Sequence, residues 1–349
     1  MLVNRIITGG KLLDTGTYSC IFDPPLRCKG SKTMKSRGHM ISKLMTDEEA
    51  TVEWEISELI RKIPLWKHYF SVSESICELG VRQIDSDLKT KCQVIKYINP
   101  SQLRILQMPY AGKPLYNLTL RSDFNLMSFI THVLEACALL VVNNIIHFDL
   151  HPGNILINNN GVPHLIDFNL SLVSNKSVSV SELSYRFSRN FHLPQQPPDY
   201  TALLGIEQGK SMDVIISNIE KKDIISYIKS IIGIHPSTIR KEVKHIILNN
   251  SFITKGDIIG WFNHYWTKID SWAIGTYFVD MFKKHSMLPQ IGGAYHKNQT
   301  KLKKLLQGLC AINPNERWDC VQALYYMNPN SAVIKRWGHK WLNKYGNPN

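Results

Sequence analysis

The chain has 349 residues, 44% of them hydrophobic and 20% charged, with 41 Lys and Arg against 28 Asp and Glu for a formal net charge of +13. This length predicts two folding units of roughly 150 residues each, or one large two-lobed unit, and the hydrophobic content excludes wholesale disorder, which needs low hydrophobicity with high charge density. The longest apolar stretches, such as ACALLVV at residues 136–142, fall far below the ~18 residues of a membrane span, and the opening MLVNRIITGG lacks the pattern of a standard export signal.

In chain order, the first hundred residues mix short β-like runs with turns, at residues 9–13, 18–22, 39–45, 94–97 and 103–108. Residues 47–63 interrupt them with an apolar stripe of Ile56, Leu59, Ile60 and Ile63 at helical spacing. Beyond about Lys113 the pattern becomes helical. Residues 124–144 read as a buried amphipathic helix, and two short hydrophobic runs at 155–157 and 164–167 flank the turn NNNG. Further helices are predicted at 212–232, 238–248, 256–282 and 301–311. The expected class is α+β, a small β-rich unit leading into a larger helical one.

The seven cysteines are scattered and contain no C-x-x-C pair. Neither a zinc site nor a disulfide framework is expected from them, and a reducing, cytoplasmic compartment fits best. From Lys283 onward eleven basic residues face two acidic ones, so the last fifth of the chain carries +9 of the +13. Such a stretch suits nucleic acid, anionic lipid or an acidic protein partner, or is simply a solvated surface, since no nucleic-acid motif accompanies it.

The segment richest in chemistry is IIHFDLHPGNILINNNGVPHLIDFNL, residues 145–170. It holds His147-x-Asp149 and Asn154 between hydrophobic runs, then Asp167-Phe168-Asn169. Phosphoryl transfer from ATP needs a carboxylate to orient and deprotonate the accepting hydroxyl, and oxygen ligands that hold Mg2+ against the triphosphate. Asp149 suits the first role, and Asn154 and Asp167 the second.

With these motifs the sequence resembles the protein-kinase superfamily over residues 13–324. LDTGTYSCIF at residues 13–22 looks like a Gly-rich nucleotide loop, with Leu13 at its start, Gly16 at the middle glycine and Ile21 at the apolar position above the base; Asp14 and Ser19 replace the outer glycines. The resemblance implies a bilobal fold with an N-lobe at 1–108, a hinge at 109–112 and a helical C-lobe at 113–349. Lys43 in HMISKLM is the implied phosphate-gripping lysine, with Lys32 and Lys35 as alternatives. Its implied helix partner is Glu55, with Glu53 and Glu58 as alternatives. Met108 would be the gatekeeper, and Tyr110 and Ala111 would offer backbone groups to adenine. Pro197-Pro198-Asp199, Asp270-x-Trp272-x-x-Gly275 and Asn313-Pro314-x-x-Arg317 resemble later family motifs, which imply a buried Asp199–Arg317 ion pair. Implied cofactors are ATP with Mg2+ or Mn2+, and the implied acceptor is Ser or Thr in a protein substrate.

Three features depart from the pattern. Phe148 stands where many regulated kinases have an arginine for a phosphorylated loop. His151 replaces a phosphate-contacting lysine and can still donate to phosphate, and His-Pro-Gly-Asn also resembles small-molecule kinases of the aminoglycoside-phosphotransferase type. The missing glycines admit a pseudokinase scaffold. Residues 200–269 form a long insertion, read as extra packing or an added docking surface, and Ser171, Ser174, Ser177, Ser179, Ser181, Ser184 and Ser188 are candidate autophosphorylation sites. The loop and the Ile/Asn/Lys-rich composition are similar to the divergent Ser/Thr kinases of large nucleocytoplasmic DNA viruses, which implies host cytoplasm or virion as the location.

Overall fold

The chain between residues 11 and 109 builds an antiparallel five-stranded sheet, in which the strand at 103–109 lies between those at 40–46 and 75–78. The computed structural model describes residues 10–16, 19–30, 38–80, 90–186 and 193–348; Tyr18, Lys32, Lys35 and Ser188 lie outside them. The fold is mixed α+β, and the chain divides into two compact units, one of residues up to Gly112 with Ile166–Ser171, the other of Lys113–Leu165 with the chain from Leu172 onward.

In the first unit the strands are β1 (Lys11–Thr15), β2 (Ser19–Asp23), β3 (Met40–Thr46), β4 (Ser75–Glu78) and β5 (Leu103–Pro109). Central β3 pairs Lys43 with Ile21 on one side and Leu106 on the other. Because strand side chains alternate between faces, Ile41 and Met45 join Leu106 and Met108 on one face. Leu44 joins Cys20, Phe22, Leu103 and Ile105 on the other. Helix α1 (Asp47–Ile60) follows at once: Thr46 Oγ1 accepts from the Glu49 N–H, and Asp47, Glu48 and Glu49 place negative charge at its N-terminus.

One local expectation is corrected, and one strand escapes the sequence reading. Residues 94–97 are not a strand but part of helix α2 (Gln93–Tyr97), which drops Val94 and Ile95 into the apolar layer under the sheet. Edge strand β4, half-buried and ending in Glu78, carried no alternating apolar signal. The cysteine reading is also overturned, because Cys20 pairs with Cys92 and Cys28 with Cys77 in disulfides. Partners 72 and 49 residues apart are invisible to a spacing test that looks for adjacent pairs, and the argument for a reducing compartment falls with it. Cys137, Cys310 and Cys320 are free and buried.

The second unit is built on the buried helix α3 (Leu126–Val142), capped by Asn125, whose side chain accepts from the Ser128 N–H. Short ladders join β6 (Lys113–Pro114), β8 (Ile155–Ile157) and β9 (Pro163–Leu165), and join β7 (Ile145–Ile146) to β10 (Leu172–Val173). Helix α4 (Val180–Arg186) precedes α5 (Pro198–Glu207), α6 (Met212–Glu220), α7 (Asp223–Ile232), α8 (Pro236–Asn249), α9 (Ser251–Thr254) and α10 (Ile258–Tyr265). The run expected as one helix at 212–232 breaks at Lys222, and its isoleucines Ile215, Ile219, Ile225 and Ile228 are buried. Helices α11 (Ile269–Lys284), α12 (Pro289–Lys297), α13 (Gln299–Leu309), α14 (Cys320–Met327) and α15 (His339–Tyr345) complete the unit. Among the described residues no helix is long and apolar enough to cross a membrane.

The basic C-terminal stretch is less free than its count suggests. Arg317 is buried, Lys301 Nζ donates to the Met327 carbonyl at 2.9 Å, and Lys304 lies over the Trp318 ring.

Candidate functional site

The first unit brings three charged residues together. Lys43 Nζ lies 2.6 Å from Glu53 Oε2 and 2.8 Å from Asp167 Oδ1. Lys43 and Glu53 are each about 2% exposed. Burial disfavours the Lys43 ammonium, but the carboxylates of Asp167 and Glu53 outweigh it and hold its pKa above the ordinary range. Burial pushes the Glu53 carboxyl up, against the pull of Lys43. Two carboxylates thus face one ammonium, an excess of negative charge that suits a hard cation with oxygen ligands.

The lysine's partner is therefore Glu53, and the expectation of Glu55 is corrected. Successive helical residues turn about 100°, so Glu55 points roughly 200° from Glu53. The buried face of α1 runs through Ala50, Glu53, Ile56, Ser57 and Ile60, whereas Glu55 is exposed. Ile63, which helped to set the expected stripe, lies beyond the end of the helix.

Asp167 itself has φ 64°, an uncommon conformation for a residue with a side chain. Phe168 anchors it from the next position, buried edge-on against Phe70 with ring centroids 6.0 Å apart.

Of the residues expected around a base, Ile21, Met108 and Tyr110 pack in one apolar cluster with Ile41, on the sheet face that carries Lys43. Ala111 is buried, while Leu13 on β1 is 51% exposed. The Tyr110 N–H already donates to the His39 carbonyl at 2.9 Å, and the Pro109 carbonyl accepts from Ser71 Oγ at 2.7 Å. Tyr110 therefore does not present its N–H to a ligand. In the loop between β1 and β2, the Gly16 N–H donates to the Ser19 carbonyl at 2.8 Å. A Cβ at Gly16 would meet only ordinary contacts among the described residues, both of them with Ser19.

The second unit holds the other half of the expected set. Asn154 Nδ2 donates to the Asp149 carbonyl at 2.9 Å and to Asp149 Oδ2 at 3.3 Å. That leaves the Asn154 amide oxygen as its acceptor, a hard ligand of the kind Mg2+ takes. Gln195 Nε2 donates to Asp149 Oδ1 at 3.2 Å. Burial works against the charged Asp149, but His151, His147 and Gln195 together hold its pKa below the usual value. An ionised carboxylate at neutral pH is what orienting a hydroxyl requires.

His151 is turned toward this loop rather than outward. Its Nδ1 accepts from the Gly153 N–H at 3.0 Å, and its Nε2 lies 3.6 Å from Asp149 Oδ2. Donation from Nδ1 to a phosphate is thus ruled out in this arrangement.

The loop's backbone is templated from helix α11. Asp270 Oδ2 accepts from the His147 N–H at 2.7 Å and Oδ1 from the Phe148 N–H at 3.0 Å, which holds Phe148 at φ 67°. The Phe148 ring stacks on Phe262, so its position serves packing. The Asp199–Arg317 pair forms as expected, at 2.6 Å with neither side chain exposed. Of the candidate serines, Ser171 is buried and Ser179 caps α4.

Two residues escaped the sequence reading. Gln195 lies in the Pro-Gln-Gln-Pro-Pro run, whose position before the Asp199 motif was the available signal. Lys222, half of a Lys-Lys pair, reads as a surface lysine yet is 1% exposed. Its Nζ donates to the carbonyls of Leu193 and Gln196 and to Thr201 Oγ1, at 3.2, 2.9 and 2.9 Å.

Asn154 and Asp167 belong to different units, and among the described residues no group of three His, Cys, Asp or Glu is placed to hold a metal by itself. No protein-family model matches the chain, and no curated protein matches it.

Proposed function

We propose that the chain is an ATP-dependent protein kinase of Ser/Thr type, its two units the lobes of a protein-kinase-like fold. The observation that carries the reading is Lys43, buried and held by carboxylates 10 and 124 residues away in sequence. Burying an ion cluster is a poor route to stability, since apolar residues of similar volume do as well or better. An excess of carboxylate around a fixed ammonium has a clear use where triphosphate and cation bind.

In this reading Lys43, positioned by Glu53, holds the nucleotide's phosphates. Bound with the nucleotide, Mg2+ would be held by Asp167 and Asn154 and would neutralise charge on the transferring phosphate. Asp149 accepts the hydrogen bond of the acceptor hydroxyl and takes its proton as the new O–P bond forms and the bond from the γ-phosphorus to the ADP oxygen breaks. Asn154 and Gln195 fix the carboxylate for that task. A protein acceptor is favoured by the Asp199–Arg317 pair, which braces the segment that follows the expected activation loop. On the sequence resemblance alone, the enzyme would work in a virus-infected cytoplasm or in the virion.

The test is transfer from labelled ATP with Mg2+ or Mn2+ to itself and to generic protein acceptors. Asp149→Ala should abolish transfer and leave nucleotide binding largely intact; measurable autophosphorylation by that variant would remove Asp149 from the role of base.

A further inference from the structure

Residues 193–196 of the second unit form a short strap beside Asp149, and the strap's carbonyls are held from outside it. Leu193 and Gln196 present theirs to Lys222 Nζ at 3.2 and 2.9 Å, and Pro194 presents its own to the Trp272 indole N–H at 2.9 Å. Between them stands Gln195, whose side chain donates to Asp149 Oδ1 at 3.2 Å. The strap is thus gripped on both sides of the residue that reaches the base.

Lys222 is the unexpected member of this grip. It comes from the long stretch 200–269, read from sequence as extra packing or an added docking surface, and sits at the junction of α6 and α7. Its backbone is fixed there, the N–H donating to the Ile219 carbonyl at 3.2 Å and the carbonyl accepting from the Ile225 N–H at 2.9 Å. Its side chain is buried, and a third oxygen, Thr201 Oγ1, accepts from Nζ at 2.9 Å. The three oxygens match the three N–H groups of an ammonium, and all are uncharged. Burying an amine against neutral partners costs free energy that an apolar side chain of similar length would not. Such a side chain, however, could not hold two carbonyls of the strap.

Resting on the kinase reading above, we infer that Lys222 is a positioning residue for phosphoryl transfer: by holding the Leu193 and Gln196 carbonyls it fixes Gln195, and through Gln195 the Asp149 carboxylate. Helix α11 sets the frame for both ends of this relay. Its Asp270 accepts from the His147 and Phe148 N–H groups just ahead of Asp149, and two residues on, Trp272 holds Pro194. Lys222 secures the carbonyls that α11 does not bond, on either side of that contact. The inserted stretch thereby belongs to the machinery that orients the base.

Two arms test the relay. In the first, transfer kinetics are measured for Lys222→Met, Gln195→Ala and the double variant. Each single change should lower kcat by about tenfold or more, as misplacing a catalytic group does, with KM for ATP held within about twofold. Because Lys222 acts through Gln195, the double variant should stay within about twofold of Gln195→Ala alone. Losses that multiply, or a kcat that Lys222→Met leaves unchanged, overturn the proposal. The second arm needs no transfer. The Gln195 carboxamide is followed by NMR in protein carrying isotope-labelled glutamine, its signal assigned by its loss in Gln195→Ala. That signal should move in Asp149→Asn, and in Lys222→Met it should be displaced and no longer respond to Asp149→Asn. This result in a protein that transfers no phosphate upholds the relay and places the failure on the kinase reading. A signal that Lys222→Met leaves in place, or that still follows Asp149→Asn in its background, overturns the relay whether or not transfer occurs. Circular dichroism identifies unfolded protein, and Thr201→Val, which takes one oxygen from Nζ and no charge, then replaces Lys222→Met in both arms.

Discussion

Replacing Arg317 with Met puts a buried charge to the test. Its guanidinium lies 2.6 Å from Asp199 Oδ1 and also donates to the carbonyls of Ala311, Ile312 and Lys268 at 2.9, 3.1 and 3.4 Å. The substitution leaves Asp199 buried with the Trp261 indole N–H at 3.0 Å and its charge unmatched. Breaking one partner of such a pair costs about 3–5 kcal/mol, and the stripped carbonyls push this variant to about 5, a large share of the 5–15 kcal/mol that holds most folded domains. Asp199→Asn keeps the shape and the carbonyl contacts of Arg317, so it should cost about 3. With both changes no charge is stranded, and the combined cost should fall short of the sum by at least about 2 kcal/mol. Urea unfolding followed by tryptophan fluorescence suits the measurement, because Trp261 bonds Asp199 and Trp272 lies under Arg317. Single variants that each cost under about 1 kcal/mol, or costs that simply add, would refute the reasoning.

In the kinase assay Glu53→Gln should lower kcat by about a hundredfold by misplacing Lys43, whereas Glu55→Gln should stay within about threefold; equal losses would reverse the correction made to the partner. Burial lowers the Lys222 pKa to about 7, with Asp199 pulling the other way. Between pH 7 and the ordinary lysine range the unfolded chain holds a proton that the folded chain has released, so stability rises with pH. The wild type should gain on Lys222→Met by up to about 1.4 kcal/mol per pH unit above 7, and parallel pH–stability curves would count against the buried amine. Alkylating the denatured, unreduced protein should modify three thiols, Cys137, Cys310 and Cys320, and all seven cysteines after reduction. Seven modified thiols without reduction would exclude both disulfides. Reduction should also destabilise the first unit, with a loop-closure ceiling of about 4 kcal/mol for each bridge.

What was legible in the sequence was short in range. Asp149 and Asn154 are five residues apart and hydrogen-bonded directly, so their spacing carried the geometry, and strand β3, which carries Lys43, and its neighbour β5 announced themselves by alternation. The identity of the lysine's partner was not, because choosing between Glu53 and Glu55 requires the phase of α1, and Ile63 shifted the apparent stripe. The disulfides were illegible for another reason: their partners lie 72 and 49 residues apart, and Cys92 stands just before residues 93–97, a short apolar run equally compatible with a strand or a helix. Lys222 shows the same limit, since burial of a polar group is decided by what packs over it and leaves no periodic mark.

The six residues Ile166–Ser171, which pack with the first unit although the chain on both sides belongs to the second, bear on how this protein could be dissected or recombined. A fragment ending at Gly112 would carry Lys43 and Glu53 and leave Asp167 behind. Grafting the first 112 residues onto a related chain would likewise import the ammonium with one of its two counter-charges and rely on the host for the other. Heritable exchange at this boundary is therefore constrained to partners that already supply a carboxylate at the matching turn, and the natural unit of exchange is discontinuous in sequence.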